Sequence, residues 1–208
     1  MVYKLETRQF YLSPGVTCKI QIPVPDLARD PTQAEGLGNS YSEKTETLDQ
    51  FLTEMCFPQY IRAANRAITS FQCSKLPHMF LKGQKLLITP LPVHLTHNPA
   101  AYHSGRDIII IDSDSFSIGL SQGSGVFLYG HEVGHRIINF RRHTRKQAID
   151  EVKGILSMSD NAFAEEVLCD AFGYHIALPG RTRFDVLDMP ENKRKALVNV
   201  ALKLAWSC

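Results

Sequence analysis

The sequence predicts a single α+β domain in which a small mixed sheet supports a buried central helix. Two observations indicate the sheet. Residues 16–24 alternate apolar and polar side chains with a period of two, and residues 108–111 are four consecutive isoleucines. The third observation is helical, since residues 125–140 are apolar around most of a helix circumference. A chain of 208 residues, 44% of them hydrophobic, has the size of one domain, which we place at residues 1–208.

Composition and charge exclude several classes of protein. The formal net charge is +2, so the sequence gives no reason to expect nucleic acid as a partner. It has no run of about 18 apolar residues, and we expect no membrane span. The first residues lack the apolar core of a signal peptide, and the five scattered cysteines favour reduced thiols. We therefore expect a cytoplasmic protein, with export as an effector into a host cytosol as the alternative.

The first third of the chain predicts strands followed by helices. Residues 1–40 begin with a β region and continue into an exposed loop rich in Asp, Pro and Gly. Residues 41–75 predict a helical pair, because Ser40 and Glu43 form a capping box and Pro58 suits the first turn of a second helix. We interpret this pair as a packing element, with a partner-binding groove as the functional alternative.

The remainder of the chain carries the strongest signals. Residues 85–180 form the predicted catalytic core, with strands at residues 85–89 and 107–112. Residues 113–125 are rich in Ser and Gly and predict a flexible connection that shapes a cleft. Residues 181–208 end in an amphipathic C-terminal helix, which we interpret as a packing element.

The chemistry is concentrated in the segment His131-Glu132-Val133-Gly134-His135. Positions i and i+4 of a helix share one face, so His131 and His135 present two imidazoles to one point, as zinc requires. Glu132 lies to the side of that point, where it can take a proton from a water at the metal and pass it to a leaving amine. Without a partner, these groups would be costly inside an apolar helix. The HExxH pattern therefore predicts one Zn²⁺ per chain and zinc-dependent peptide hydrolysis.

A third ligand is expected from a second helix around residues 163–177, because a catalytic zinc keeps three protein ligands and one open position. Glu166 and Asp170 are again at i and i+4. Glu166 can reach the metal while Asp170 accepts the other ring N–H of a ligand histidine. Glu165 points about 100° away and is the less favoured ligand. A solvated helix face is the alternative reading of Glu166 and Asp170.

These motifs resemble the gluzincin metallopeptidases, in which the Glu of the second helix is the third zinc ligand. The stretch from Glu166 through Asp170 to Gly173, continuing to Leu178-Pro179, is similar to the second helix of ImmA/IrrE-type proteases. The HtpX-like membrane peptidases share both motifs but separate them further. The resemblance covers about residues 100–180 and departs at Cys169, where a small Ala is usual. It implies a zincin-like fold with a substrate-binding edge strand ahead of the HExxH helix.

Two further sets of residues follow from this resemblance. An exposed edge strand offers unpaired N–H and C=O groups to an extended peptide. The expected edge-strand residues are Ile108, Ile109, Ile110 and Ile111. A buried core strand is the alternative, and both can hold at once. The gluzincins also stabilise the oxyanion with a Tyr, His or Arg, for which the candidates are Tyr174, His175, Arg181 and Arg183.

A cluster of cations follows the HExxH segment. Its members are Arg136, Arg141, Arg142, His143, Arg145 and Lys146. We interpret them as complementing the dipole at the C-terminal end of the helix, with docking of an acidic substrate as the alternative.

Taken together, the sequence predicts a zinc endopeptidase that cleaves a specific protein or peptide substrate. The alternative from another class is a non-proteolytic regulator or sensor in which zinc only stabilises the fold.

Overall fold

The computed structural model describes residues 3–25, 57–90, 99–118, 124–177 and 189–207. Within these residues the predicted α+β class is confirmed, with one mixed sheet of five strands. The strands are β1 (Tyr3–Leu12), β2 (Val16–Pro25), β3 (Lys85–Thr89), β4 (Ala100–His103) and β5 (Ile108–Asp112). Their order across the sheet is β1-β2-β3-β5-β4.

The sheet combines antiparallel edges with a parallel centre. The strands β1 and β2 form an antiparallel hairpin, as the alternation of residues 16–24 predicts, and β2, β3 and β5 run parallel. The strand β4, which precedes β5 in the chain, lies antiparallel to it at the edge of the sheet. The edge strand on this side of the sheet is therefore β4.

This arrangement corrects the expectation that Ile108, Ile109, Ile110 and Ile111 form the edge. They lie in β5, which is hydrogen-bonded to β3 on one side and to β4 on the other. Ile109 and Ile111 are fully buried in the core. A run of β-branched apolar residues fits an interior strand, where both faces and both edges are covered. The neighbouring strand β4, which is less apolar, lies at the edge of the sheet.

Six α-helices are present in the described part of the chain. Their bounds are α1 (Phe57–Cys73), α2 (Ser113–Ile118), α3 (Ser124–Phe140), α4 (Arg142–Leu156), α5 (Asn161–Ala177) and α6 (Glu191–Trp206). The helices α3, α5 and α6 confirm the predicted central, second and C-terminal helices. The first helix of the predicted pair, like the loop before it, lies outside the described residues. None of the helices within these ranges is long and apolar enough to cross a bilayer.

The helix α2 was not expected, because its residues lie in a segment interpreted as a flexible connection. The carboxylate of Asp112, the last residue of β5, accepts a hydrogen bond from the backbone N–H of Ser115 at 2.9 Å. An acidic side chain in this position satisfies one of the free N–H groups in the first turn of a helix. Asp112, at the end of β5, therefore caps the N-terminus of α2, which begins at the next residue.

Close packing of α3 on α5 brings the two motif-bearing helices together. A Cβ atom on Gly134 would lie 2.9 Å from the Cα of Cys169, and one on Gly130 would lie 3.0 Å from the Cα of Gly173. Distances this short leave no room for a side chain at either glycine. The glycines let the backbones approach, so that carboxylates on α5 can reach the imidazoles on α3. Gly134 of the HExxH segment is thus a packing residue.

Candidate metal centre

A cleft of about 360 Å³ opens over the HExxH segment. The edge strand β4 contributes Tyr102, α3 contributes His131 and His135, and α5 contributes Glu165 and Glu166. The structure therefore gathers the two predicted motifs and an open strand edge around one cavity. The core beneath the cleft is a single cluster of buried apolar side chains from the sheet and the helices.

The two histidines and Glu166 converge on one point. The Nε2 atom of His131 lies 3.3 Å from one carboxylate oxygen of Glu166, and the Nε2 atom of His135 lies 3.6 Å from the other. Ligands held about 2.1 Å from a tetrahedral zinc lie about 3.4 Å from one another. The spacing of these atoms therefore fits a zinc ion.

Each imidazole also has a carboxylate on its Nδ1 side. The carboxylate of Asp170 accepts a hydrogen bond from Nδ1 of His131 at 2.8 Å, at the position that the i, i+4 spacing predicts. Glu165 lies 3.7 Å from Nδ1 of His135 and receives two hydrogen bonds from Arg145, the shorter at 2.5 Å. A carboxylate at Nδ1 leaves Nε2 free for a metal. The expectation that Glu165 points away from the site is therefore wrong.

The position of Glu165 follows from how the helices cross. Because α5 packs against α3 over more than one turn, two adjacent positions of α5 can flank the same histidine from different sides. The single signal in the sequence was the doubled acid Glu165-Glu166, which a helical wheel of α5 alone assigns to diverging directions. The carboxylates of Glu165 and Glu166 both face His135 because of the way in which α3 and α5 cross.

Glu132 is only 5% exposed and faces the same cleft. Burial raises the pKa of its carboxyl group, although the neighbouring imidazoles and the backbone N–H of Tyr102 act in the opposite direction. That N–H belongs to the edge strand β4. The potential proton acceptor is therefore tethered to the strand along which an extended peptide could pair.

Negative charge accumulates in this cleft. Glu132, Glu165 and Glu166 line it with one guanidinium, from Arg145, and Asp170 lies behind His131. Burial lowers the pKa of His131, but Asp170, Glu166 and Glu132 outweigh that effect and raise it to about 10. The hydrogen bond from His131 holds the pKa of Glu166 below its usual range. Such a donor set calls for a cation.

Cys169 offers a further donor. His131, His135 and Cys169 form a group that could hold a metal ion, with one potential ligand atom from each lying within 4.8 Å of the others. The thiol is fully buried, and burial raises its pKa well above its usual value. Because the thiolate is the form that binds metals, Cys169, like His131, would release its proton on binding one. Its contact with Gly134 gives it a packing role in addition.

The structure places the predicted oxyanion residues elsewhere or does not describe them. Tyr174 and His175 lie on α5 about two turns beyond Glu166 and do not line the cleft. The Nε2 atom of His175 lies 2.6 Å from the carbonyl oxygen of Ser74, and Tyr174 lies under the guanidinium of Arg194. Their assignment as oxyanion candidates is wrong because the helix carries them away from the metal site. Arg181 and Arg183 lie outside the described residues.

A second polar cluster, which the sequence did not reveal, lies beside the cleft. Arg136 is 2% exposed and donates from Nε and Nη2 to the two carboxylate oxygens of Asp107, at 2.7 and 2.8 Å. It also donates to the carbonyl oxygen of Phe80. Asp107 in turn accepts a hydrogen bond from the hydroxyl of Tyr102 at 3.0 Å. Arg136 therefore does not serve as the dipole-complementing cation that the sequence suggested, since it joins α3 to the turn between β4 and β5.

No protein-family model, curated protein or solved structure matched this chain. The function is therefore inferred from the geometry and chemistry of the site.

Proposed function

We propose that the protein is a zinc-dependent peptidase with a zincin-like fold. The observation that carries this proposal is the convergence of His131, His135 and Glu166 at zinc-ligand spacing, with Glu132 beside them and tethered to an edge strand. A structural zinc site would need the ligands but would have no use for a buried carboxyl group next to an open cleft. A strand edge at that position suits a peptide substrate.

We assign the third ligand to Glu166. Its two carboxylate oxygens lie 3.3 and 3.6 Å from the Nε2 atoms of the two histidines, and its pKa lies below the usual range, so it is ionised at neutral pH. With three protein ligands, a fourth position remains open toward the cleft, as in catalytic zinc sites.

Zinc bound there would supply Lewis-acid chemistry, lowering the pKa of water and polarising a carbonyl group. Glu132 would accept the proton from that water and return it to the leaving amine. Its raised pKa suits a group that must first take and then release a proton near neutral pH. Asp170 and Glu165 would hold the two imidazoles in the tautomer that leaves Nε2 free.

The substrate would bind as an added strand along β4. This strand pairs with β5 on one side, and no described strand pairs with its other side. Ala100, Ala101 and Tyr102 all line the cleft, so a peptide paired here passes in front of Glu132. The small side chains of the two alanines leave space for the substrate backbone. We therefore assign the main-chain contacts to β4 in place of the isoleucines of β5.

One observation favours a second candidate. The group of His131, His135 and Cys169 would form a partly buried site whose metal stabilises the packing of α3 on α5. In that case the protein would be a regulator or sensor and Glu132 would be dispensable.

Zinc content and hydrolysis distinguish the two candidates. Wild type and the variants Glu132→Gln, Glu166→Ala and Cys169→Ala would be purified side by side and analysed for zinc and for cleavage of a mixed peptide library. The peptidase proposal expects about one zinc in wild type, Glu132→Gln and Cys169→Ala, and much less in Glu166→Ala. It also expects Glu132→Gln to lose about 10²- to 10⁴-fold of the cleavage rate.

Other outcomes would overturn the proposal. Zinc lost with Cys169 and retained without Glu166 would favour the structural site. Cleavage unaffected by Glu132→Gln would exclude the assigned proton acceptor, and wild type without zinc would exclude the metal centre altogether.

A further inference from the structure

We propose that Arg142 and Lys146 select substrates with a negatively charged side chain two or three residues from the scissile bond. This inference rests on the proposed peptidase function and concerns its substrate class. It starts from a groove that continues the cleft between α4 and α5. The groove has a volume of about 800 Å³ and shares Arg145, Glu165 and Glu166 with the cleft.

The charges in this groove do not balance once the ion pairs are assigned. Four cations line it, Arg142, Arg145, Lys146 and Lys153, together with the carboxylates of Asp150, Glu165 and Glu166. Arg145 is paired with Glu165, and Lys153 lies 3.7 Å from Asp150. The carboxylate of Glu166 faces the imidazoles. Among the described residues, Arg142 and Lys146 remain without a carboxylate partner.

The guanidinium of Arg142 is held in place at the rim of the cleft. Its Nε atom donates to the backbone oxygen of Asn139 at 3.2 Å, and its Nη2 atom donates to the side-chain oxygen of Asn139 at 3.1 Å. An arginine has five N–H donors, so three are left to bind an anion. Because the group is already oriented, little conformational entropy is lost when a carboxylate or phosphate binds it.

Helix stability accounts for only part of this arrangement. As the sequence suggested, Arg142 complements the C-terminal end of the HExxH helix, because its Nε atom donates to the backbone oxygen of Asn139 in the last turn. Arg142 and Lys146 also lie in the first turns of α4, where the dipole is positive and like charges at i and i+4 repel each other. The first turn of α4 has no acidic residue to compensate them. An anionic ligand would relieve this repulsion.

The distance from the metal site defines the substrate position. Asn139 follows His135 by one helical turn on the cleft-facing side of α3 and lines the cleft. One turn advances about 6 Å along the helix, which equals about two residues of an extended peptide. Asn139 accepts a hydrogen bond from Arg142 and donates one to the hydroxyl of Tyr102 on β4, so it links the guanidinium to the edge strand. A substrate that pairs with β4 and extends past Asn139 would thus place its second or third side chain from the scissile bond near these cations.

Two measurements test this inference, one of binding and one of cleavage. The zinc-loaded Glu132→Gln variant would be immobilised and exposed to a positional-scanning peptide library, and wild type would cleave the same library. Matched peptides with Glu, phosphoserine, Gln or Lys at the selected position would then be compared. We expect Glu or phosphoserine to be bound and cleaved about threefold to tenfold better than Gln, with Lys the poorest.

Charge variants make the test specific. Arg142→Gln combined with Lys146→Gln should abolish the preference for the acidic peptide, so that the Glu and Gln peptides bind alike. The matched control Lys195→Gln neutralises an exposed cation on α6 and should retain the preference. Thermal denaturation of each variant verifies that the fold is intact. A preference retained in the double variant overturns the proposal.

The outcomes separate this inference from the proposed function. Cleavage without any charge preference would overturn the inference and leave the peptidase function standing. Preferential binding of acidic peptides without cleavage would support the recognition surface and overturn the enzymatic function. If no peptide were bound or cleaved, both would fail. The comparison of Glu with phosphoserine identifies which of the two anionic groups is preferred.

Discussion

Adjacent residues of α3 belong to two charged clusters that differ in their balance. Arg136 is buried with two hydrogen bonds to Asp107 and a third to a backbone carbonyl, so its charge and donors are satisfied by the protein. His135, one position earlier, faces a cleft lined by the carboxylates of Glu132, Glu165 and Glu166, with Arg145 as the only guanidinium among the described lining residues and Asp170 behind His131. One cluster is complete as it stands, and the other has an excess of negative charge.

The difference between the two clusters indicates which of them needs a ligand. A buried charge whose partners all come from the chain stabilises the fold and needs nothing further. A cluster of like charges persists only if something else compensates it, and here two imidazoles at ligand spacing indicate a cation. The contrast predicts that removing a carboxylate will have opposite effects on stability in the two clusters when no metal is bound.

The largest effect is expected for Asp107→Asn. The substitution leaves the buried guanidinium of Arg136 without its counter-charge, but Asp107 is itself one-third exposed, so we expect the free energy of unfolding to fall by about 2–4 kcal/mol. Asn tolerates the positive φ of 49° at this position, so backbone strain does not confound the result. Urea denaturation would measure the change. Asp150→Asn, which removes an exposed partner of Lys153, is the control and should cost less than about 1 kcal/mol. Equal effects of the two variants would contradict the contrast.

The next largest effect is expected for Gly134→Ala, which separates α3 from α5. The added Cβ would lie 2.9 Å from the Cα of Cys169, so the helices must move apart at a cost of about 1–3 kcal/mol. The same movement withdraws Glu166 from the imidazoles and should weaken zinc binding. Gly154→Ala on α4 meets no atom within 4 Å and should be neutral or stabilise by up to about 1 kcal/mol. Calorimetry and zinc titration of both variants would measure these changes, and unchanged zinc affinity in Gly134→Ala would contradict the role of the close contact.

A smaller effect of opposite sign is expected for Glu132→Gln in the metal-free protein. Because burial raises the pKa of Glu132, its ionised form destabilises the fold, and the neutral isostere should stabilise it by about 1 kcal/mol. The variant should therefore be more stable while losing activity. Glu151→Gln, which removes an exposed partner of Lys203, should change stability by less than about 0.5 kcal/mol. A destabilised Glu132→Gln variant would show that its carboxylate is compensated without a metal.

The smallest effects are the pH dependences of the stability changes expected for Asp107→Asn and Glu132→Gln. Arg136 holds the pKa of Asp107 below its usual range, so the stability from Asp107 is present above its unfolded pKa of about 3.9 and is lost as the pH falls further. The pKa of Glu132 is raised, so the gain from Glu132→Gln is present above that raised pKa and disappears by about pH 4.3. Denaturation of metal-free wild type and of both variants from pH 3 to pH 8 would show the pH range over which each stability difference changes. If both differences changed over the same pH range, the opposite pKa shifts of Asp107 and Glu132 would be contradicted.

The elements that could be predicted from the sequence are those with a strong local pattern. The period-two alternation of β2 and the apolar circumference of α3 depend on neighbouring residues alone, and both elements are observed where they were expected. Asp170 lies at Nδ1 of His131, as the helical spacing predicts. The identity of the edge strand was predicted wrongly, because the order of the strands in the sheet differs from their order in the chain and no local pattern shows it.

The sequence by itself determined the α+β class, the helices that carry HExxH and Glu-x-x-x-Asp, and the face that each helix presents. These properties depend on interactions over a few residues. Only the tertiary structure decided that β4 forms the edge, that Glu165 joins the site, that Tyr174 and His175 leave it, and that Arg136 is paired with Asp107. Each of these depends on how closely two elements distant in the chain approach and at what angle they cross. That approach is set by glycines and buried ion pairs whose partners no local pattern identifies.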